Sequence, residues 1–390
     1  MRILFVSLFL PQEKAYHAGG RYVFELLRRL SLHHEVHLAT RLEEGEFPSL
    51  PELAPYCAQI HPFSYPQVAK RNLAGTLRLL ANYLAFSRFA NKLIREGTYD
   101  LVQVEWVETA ILIHRGAAPM VLDAHDVITK PAERAFLRSR GVRRLFQFAK
   151  FLLVRAAEKR IMSRFDRIFT LSEFDRGYLL ALSPTLPVAT IPIPAGLDLK
   201  PTSYPRVRHR LLFLASYRYR PENVEAALWF HRLVLPLVRR EFPDAEFVIA
   251  GYGPPGQLTE LAERDSHTRV TGFVDDTDEL YKSAAVFVAP ILTGGGIIVK
   301  VLDALAAGTP VVTTSYGNEG IAACPGEELL VADDPRSFAD AVITLLQDEA
   351  KARRISVKGA AFVARHFSLE AVLDRIETAY GELAGRSQRG

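Results

Sequence analysis

Short apolar runs that read as buried strands alternate with stretches of helical period along this chain, and that alternation narrows its fold more than any other feature. The runs at Ile3 to Ser7, Glu35 to Thr40, Leu101 to Val104, Met120 to Asp123, Arg167 to Leu171 and Val188 to Ile191 are strands. Between them, Gly19 to Leu32, Arg71 to Ile94 and Glu133 to Arg164 carry apolar residues at helical spacing, the last interrupted near Gly141. Strands separated by helices must run parallel, because a parallel pair needs a long crossover. A doubly wound α/β sheet is the expected result.

The pattern repeats. Ile191-Pro-Ile-Pro-Ala-Gly196, followed by Pro201 and Pro205, reads as a linker. A second set of strands starts at Leu211 to Ala215 and continues at Glu246 to Ala250, Arg269 to Thr271, Ala285 to Pro290, Val311 to Thr314 and Leu329 to Val331. A helix is expected from about Glu222 to Arg240, and three more close the chain. At 390 residues the chain is long enough for two cores. Two Rossmann-like doubly wound domains facing across a cleft are therefore expected, 1–195 and 206–367.

Ligands of such sheets bind beyond the carboxyl ends of the strands. In the second half, Thr293-Gly-Gly-Gly-Ile-Ile-Val-Lys300-Val-Leu-Asp303 follows a strand and opens a helix that Gly308 ends. Gly294, Gly295 and Gly296 let backbone approach a ligand, and a helix start favours an anion. Lys300 beside a phosphate and Asp303 beside a sugar hydroxyl would make a nucleotide-sugar site. A flexible turn with two surface charges fits the same residues. After the strand ending at Ala215, Arg218 and Arg220 suit a diphosphate, since a guanidinium stays charged and its fork matches phosphate oxygens. An exposed turn fits them too.

In the first half, Gly19-Gly20 opens the first helix, but Leu8 to Ala18 intervene after the first strand. That departs from the dinucleotide fingerprint, so a nicotinamide cofactor is not expected. His125 follows the strand at Val121-Leu122, as a ligand-facing group or as a histidine held by local backbone.

Charge and cysteine usage bound the partners. Lys and Arg number 48 against 44 Asp and Glu, a net charge of +4. Cys57 and Cys324 are too few for a disulfide framework or a cysteine metal site, and fit a reducing compartment. The apolar start, Arg2 to Leu10, lacks a cleavage site, and Ala284 to Val299 contains Pro290 and three glycines, so neither a signal peptide nor a spanning helix is expected. A cytoplasmic protein follows. From Lys130 to Arg167 there are 12 Lys/Arg and 3 Asp/Glu, interleaved with Phe and Leu. This region suits an anionic membrane surface, which would place the protein peripherally on the inner membrane face. A core helix with a solvated basic face is the other reading. Nucleic acid is not expected, since no recognised module accompanies the charge.

Taken together, these motifs resemble the two-domain GT-B glycosyltransferases, in particular the retaining enzymes of family 4. The resemblance rests on Gly19-Gly20 with His34-Glu35-Val36, on Arg220-Pro-Glu-Asn223, and on Ala250-Gly-Tyr-Gly-Pro254. Gly272-Phe-Val-Asp275 and Gly308-Thr-Pro-Val-Val-Thr-Thr314 are similar in order and spacing. It implies metal-independent transfer, without a cofactor, of a hexose-type sugar from a nucleotide-diphosphate sugar to a glycan or lipid-linked acceptor, in cell-surface polysaccharide or glycolipid synthesis. It assigns His125 to the donor sugar, Arg218 or Arg220 and Lys300 to the diphosphate, and Asp303 to the ribose, where the family usually has Glu. Gly251, Gly272, Val274, Gly19, Gly20 and the glycines 294–296 join the donor site. Gly295 stands where many members have a glutamate, and Ile298 where a second cation is common. The final helix, from about 368 to 390, is expected to cross back to the first domain. A nucleotide-sugar epimerase and a non-catalytic nucleotide-sugar binder stay open as other readings.

Overall fold

The structure, a computed structural model, describes residues 1–13, 18–65, 73–197, 199–200, 202–218, 220–293 and 296–387. The chain divides into two compact units: Met1–Ile191 with Leu373–Gly390, and Pro192–Val372.

Besides further helices, among them Leu73–Glu96 and Glu173–Leu182, the first unit contains β1 (Arg2–Ser7), α1 (Ala18–Leu30), β2 (Glu35–Glu43), β3 (Gln59–Tyr65), β4 (Leu101–Glu105), β5 (Met120–Asp123), α2 (Thr129–Arg138), α3 (Gly141–Met162), β6 (Arg167–Thr170) and β7 (Val188–Thr190). The strands form one parallel sheet in the order β3-β2-β1-β4-β5-β6-β7. Ile3 to Val6 are fully buried without alternation, because both faces of a parallel sheet are covered. Tyr22, Val23, Leu26, Leu27 and Leu30 give α1 its buried face.

Two details differ from the sequence reading. β3 was not expected, since Gln59 to Tyr65 is polar and contains Pro62. It lies at the sheet edge, where a missing N–H costs no ladder bond. The helix read from Glu133 begins earlier, at Thr129, because Pro131 sits in its first turn. It stops at Arg138, and Ser139 and Arg140 are extended before α3 begins at Gly141.

The second unit holds β8 (Arg210–Leu214), α4 (Pro221–Trp229), β9 (Glu246–Ala250), β10 (Thr268–Gly272), β11 (Val286–Ala289), α5 (Val299–Ala306), β12 (Val311–Thr313) and β13 (Leu330–Val331). Its parallel sheet runs β10-β9-β8-β11-β12-β13. Alternate residues of β8 feed cores on opposite faces: Phe213 packs with Phe230, Phe247 and Phe338, and Leu212 with Phe287, Leu302 and Leu305. The helix expected from Glu222 to Arg240 is three pieces, α4, a π-helical turn at Phe230–Val234, and an α-helix at Leu235–Glu241. Pro236 has no N–H for a bond to the preceding turn, which accounts for the widened backbone there.

The last helix, α6 (Leu369–Ser387), belongs to the first unit from Leu373 onward. Ile376, Ala379, Tyr380 and Leu383 are its buried face. Glu377 accepts from His34 Nε2 at 2.9 Å, Glu382 from Arg167 at 2.5 Å, and the Tyr380 hydroxyl donates to Gln103.

Candidate functional site

Each sheet has one place where the strand order reverses, and there the loops leaving two adjacent strands diverge. In the first unit this lies between β1 and β4, and in the second between β8 and β11. The residues singled out from the sequence gather beyond these two points.

At the first, β4 ends on Glu105 and β5 on Asp123, both fully buried. The residues that follow turn sharply: Trp106 has φ 66° and His125 has φ 51°. Such backbone is costly for a non-glycine residue and concentrates at sites where geometry matters. The two rings stack, with centroids 4.6 Å apart and planes 20° from parallel. His125 Nε2 donates to Glu105 Oε2 at 2.9 Å and lies 4.0 Å from Asp123 Oδ1. Gln103 donates to Glu105 Oε1 at 2.7 Å, and Tyr22 to Asp123 Oδ2 at 3.0 Å. A chain of hydrogen bonds thus runs from Tyr380 through Gln103 and Glu105 to His125.

Burial drags an imidazole pKa down, but the carboxylates of Asp123 and Glu105 outweigh it and raise that of His125. Burial raises Asp123 to about 7, against the opposing pull of His125. Tyr22 is held well above its ordinary value by burial and by Asp123, so it stays a donor. Asp123 Oδ1 has no hydrogen-bond partner. Glu105, Asp123 and His125 are also a set of metal-ligating types, with one ligand atom each inside 4.8 Å of the others. Three of their four carboxylate oxygens already accept hydrogen bonds, so the cluster stands as a hydrogen-bonded acid–imidazole group.

Gly19 completes this corner. A Cβ there would lie 3.2 Å from the Trp106 ring and 3.4 Å from His125 Nδ1. A methyl there would press on the stacked pair, whose rings would have to give by a few tenths of an ångström. Gly20 is buried in the same turn.

At the second switch point the loops after β8, β9 and β10 are bonded to one another. Ala215 N–H donates to Ala250 O, Tyr217 N–H to Tyr252 O, and Gly251 N–H to Gly272 O, at 2.8–2.9 Å. Gly251 has φ 127°, and a Cβ on it would fall 1.9 Å from Ala215 O. Gly253 lets the Arg218 side chain pack against backbone, 2.6 Å from where its own Cβ would be. Arg218 is exposed and donates to the Tyr252 hydroxyl at 2.5 Å. Arg220 is exposed before Pro221 and reaches Glu222 at 3.5 Å.

Lys300 turns its ammonium inward from α5. Nζ donates to Asn223 Oδ1 at 2.7 Å and lies 5.1 Å from the centre of the Phe213 ring. Burial pulls its pKa down to about 7, with Glu222 opposing and Arg220 adding to the fall. Asp303 Oδ1, one turn on, accepts from Gly196 N–H at 2.9 Å. The glycine turn does not open α5 directly, because Ile297 and Ile298 separate Gly296 from Val299. Gly296 is buried with φ 82°, and Gly294 and Gly295 lie outside the described residues. Gly272, with φ 71°, ends β10, and half-buried Val274 lies beyond it.

The first unit thus brings together Gly19, Gly20 and His125. The second brings Lys300 into the neighbourhood of Arg220, with Arg218 on the same loop as Arg220 and Asp303 turned to Gly196. Sequence reasoning missed Glu105, Asp123, Trp106, Tyr22 and Gln103 as partners of His125. A signal was present, because Glu105 and Asp123 are carboxylates ending otherwise apolar strands.

A family model described as Glycosyltransferase Family 4 matches residues 19–200, and one described as Glycosyl transferases group 1 matches 208–348. An uncharacterized 44.6 kDa protein in the cps region of Klebsiella pneumoniae is 26% identical over 243 residues, 60% of this chain and 61% of that one. Phosphatidyl-myo-inositol mannosyltransferase of Mycobacterium tuberculosis H37Rv is 31% identical over 211 residues, 50% of this chain and 54% of that one. The chain therefore spans between half and two thirds of the length of these curated relatives. Among solved structures, sucrose-phosphate synthase from Thermosynechococcus elongatus superposes with a TM-score of 0.73 at 18% identity, covering 99% of this chain and 100% of that one. Anabaena HepE in complex with UDP gives 0.67 at 12%, covering 98% and 100%. At these identities the likeness is one of fold.

Proposed function

The chain belongs to the group 1, family 4 glycosyltransferases of GT-B fold, and on that premise we propose that it moves a hexose-type sugar from a nucleotide-diphosphate sugar to a glycan or lipid-linked acceptor, with retention at the anomeric carbon. The observation that carries this reading is the gathering of Lys300, Arg220 and Asn223 beyond the switch point of β8 and β11. A diphosphate entering there meets a lysine whose proton is loosely held and a guanidinium that stays charged. Departure of the nucleoside diphosphate builds negative charge on its terminal phosphate, and these fixed cations stabilise that charge as it forms. Asp303 holds the ribose hydroxyls, and the backbone at Gly251, Gly272 and Gly296 admits the nucleotide. Val274 borders it.

In the first unit His125 serves the sugar. Its Nε2–H is given to Glu105, so the Nδ1 edge beside Gly19 accepts from a sugar hydroxyl when the ring is neutral and donates an N–H to one when the ring is protonated. The departing phosphate oxygen takes the acceptor proton, so no protein nucleophile and no metal are needed. Two relatives point toward the acceptor class: the mycobacterial enzyme is named a phosphatidyl-myo-inositol mannosyltransferase, and the Klebsiella protein is placed in a cps region. HepE has been seen with UDP and with UDP-glucose. A lipid-linked acceptor would hold this chain at an anionic membrane surface, on the cytoplasmic side, through the basic stretch from Lys130 to Arg167.

Thermal unfolding of the purified protein across a panel of nucleoside diphosphates, in EDTA, tests the donor site. A rise in Tm with one base that is lost in Lys300→Ala and Asp303→Ala supports it. No rise with any of them overturns the donor assignment. Chromatography of the matching sugar nucleotide after incubation then separates the reactions. An epimerised sugar nucleotide without acceptor means an epimerase, and binding without consumption means a binder.

A further inference from the structure

We propose that α2 and α3 form an anchor that lies in the plane of an anionic lipid surface, with one face of α3 inserted among the acyl chains. Helix α3 is apolar on two opposite sides. Phe151 and Ile161 face the body of the unit and are buried. Glu158 on the same side fastens the helix, its carboxylate accepting from the backbone N–H groups of Ile128 at 2.8 Å and Thr129 at 3.2 Å. The other side carries Val142, Leu145, Phe146, Ala149, Leu152 and Leu153, at intervals of three and four along a 3.6-residue period. Val142 is 85% exposed, Leu145 71%, Phe146 68% and Leu153 72%. A surface helix normally turns its polar face to water. Here the face turned away from the protein is aliphatic and aromatic.

Cations border this stripe on both sides. Arg143 and Lys150 flank one edge, and Arg144, Arg155 and Lys159 the other. That is the arrangement of a helix lying at a lipid interface: apolar side chains reach the acyl layer while long basic ones extend to the phosphates. At the N-terminal end of α3, a cleft of about 440 Å³ is lined by Ala135, Arg138, Ser139, Arg140, Arg143 and Gln147. Three guanidinium groups around one cleft suit the phosphate of a lipid headgroup. Leu137, exposed on α2, extends the apolar surface beside it.

Charge selects the occupant. From Lys130 to Arg167 there are 12 basic residues and 3 acidic ones. A second copy of this chain would bring the same positive charge against itself, whereas an anionic leaflet attracts it. Among the described residues no helix is long and apolar enough to cross a membrane, so the contact is with one leaflet. The two apolar sides of α3 also resolve why the stretch reads from sequence both as core and as membrane surface: it is each, on opposite faces.

The inference deepens the membrane placement proposed above and rests on it, but it is tested apart from the transfer reaction, since binding is read without a sugar donor. The full chain is sedimented with vesicles of phosphatidylcholine alone and with phosphatidylglycerol added. Binding is expected to the mixed vesicles, weakened by salt. Phe146→Glu with Leu153→Glu should weaken it about tenfold or more at unchanged Tm, because both positions are exposed. Arg143→Glu with Lys150→Glu should weaken it and remove much of the salt dependence. In Phe146→Trp the new indole's emission should shift to the blue on adding anionic vesicles. No binding to anionic vesicles at low salt overturns the proposal, as does undiminished binding by the Phe146/Leu153 variant. A dimer formed without lipid and lost in that variant would assign the stripe to a second copy instead.

Discussion

The ammonium of Lys300 donates a 2.7 Å hydrogen bond to the side-chain oxygen of Asn223, joining α5 to the first turn of α4 in a half-buried setting, where lost hydration pulls the lysine down to about 7. A diphosphate beside it would hold the proton that the free protein gives up above neutrality. Donor binding should therefore take up a proton near and above pH 7, and affinity should fall as pH rises from there. Titration calorimetry of the preferred nucleoside diphosphate in two buffers of different ionisation enthalpy reads the uptake. Lys300→Met should abolish it and weaken binding by roughly tenfold or more, the loss of one charge-assisted contact.

Asp123 and His125 give the first unit a pH dependence of definite sign. Asp123 titrates at about 7 when folded, against about 4 unfolded. The folded state keeps a proton over that interval, so stability present below it is lost as pH rises toward 7. His125 is also raised. Its contribution is complete below its ordinary value and is lost as pH climbs through the raised one. Melting temperature should decline between pH 5 and 7.5. In Asp123→Asn the decline should be shallower, and an equally steep one would remove the carboxyl as its source.

Two glycines that look alike in sequence should behave differently. Gly251→Ala places a methyl 1.9 Å from the Ala215 carbonyl, at φ 127°. Its cost should be about 3 kcal/mol or more, because backbone has to move. Gly272→Ala meets open space, so only its φ of 71° is penalised, at about 1 kcal/mol. Urea unfolding of the two variants, followed by Trp229 fluorescence in the second unit, compares them.

Tyr380→Phe leaves the Gln103 side-chain oxygen buried without its donor. The expected loss is about 1–3 kcal/mol. Since Gln103 steadies Glu105 and Glu105 steadies His125, turnover should fall several-fold with KM for the donor nearly unchanged. Unaltered turnover would confine Tyr380 to a packing role.

The doubly wound sheets were legible because buried parallel strands are plain apolar runs, as at Ile3 to Val6. β3 was not, since an edge strand has no second neighbour to demand apolar residues or forbid Pro62. His125 and Gly19 were visible separately, as polar and glycine positions after strands. Their contact was not, because it depends on left-handed backbone at Trp106 and His125, which residue type does not announce. Lys300 was legible as a cation, but its inward turn depends on Asn223, some 77 positions away. The helical period of α3 showed its two apolar sides, and only the packing of Phe151 and Glu158 decides which one faces out.

The place of Tyr380 has a consequence for how the protein is made. The first unit needs side chains from α6, so the portion synthesised first is the portion finished last. Chains are elongated at about 5–20 residues per second. For the time taken to translate everything after Ile191, Gln103 lacks its partner and the surface that Ile376 and Leu383 will cover has no lid. The nascent first unit is thus obliged to wait for the codons of α6, and a stop signal placed ahead of them would strand an otherwise complete first half.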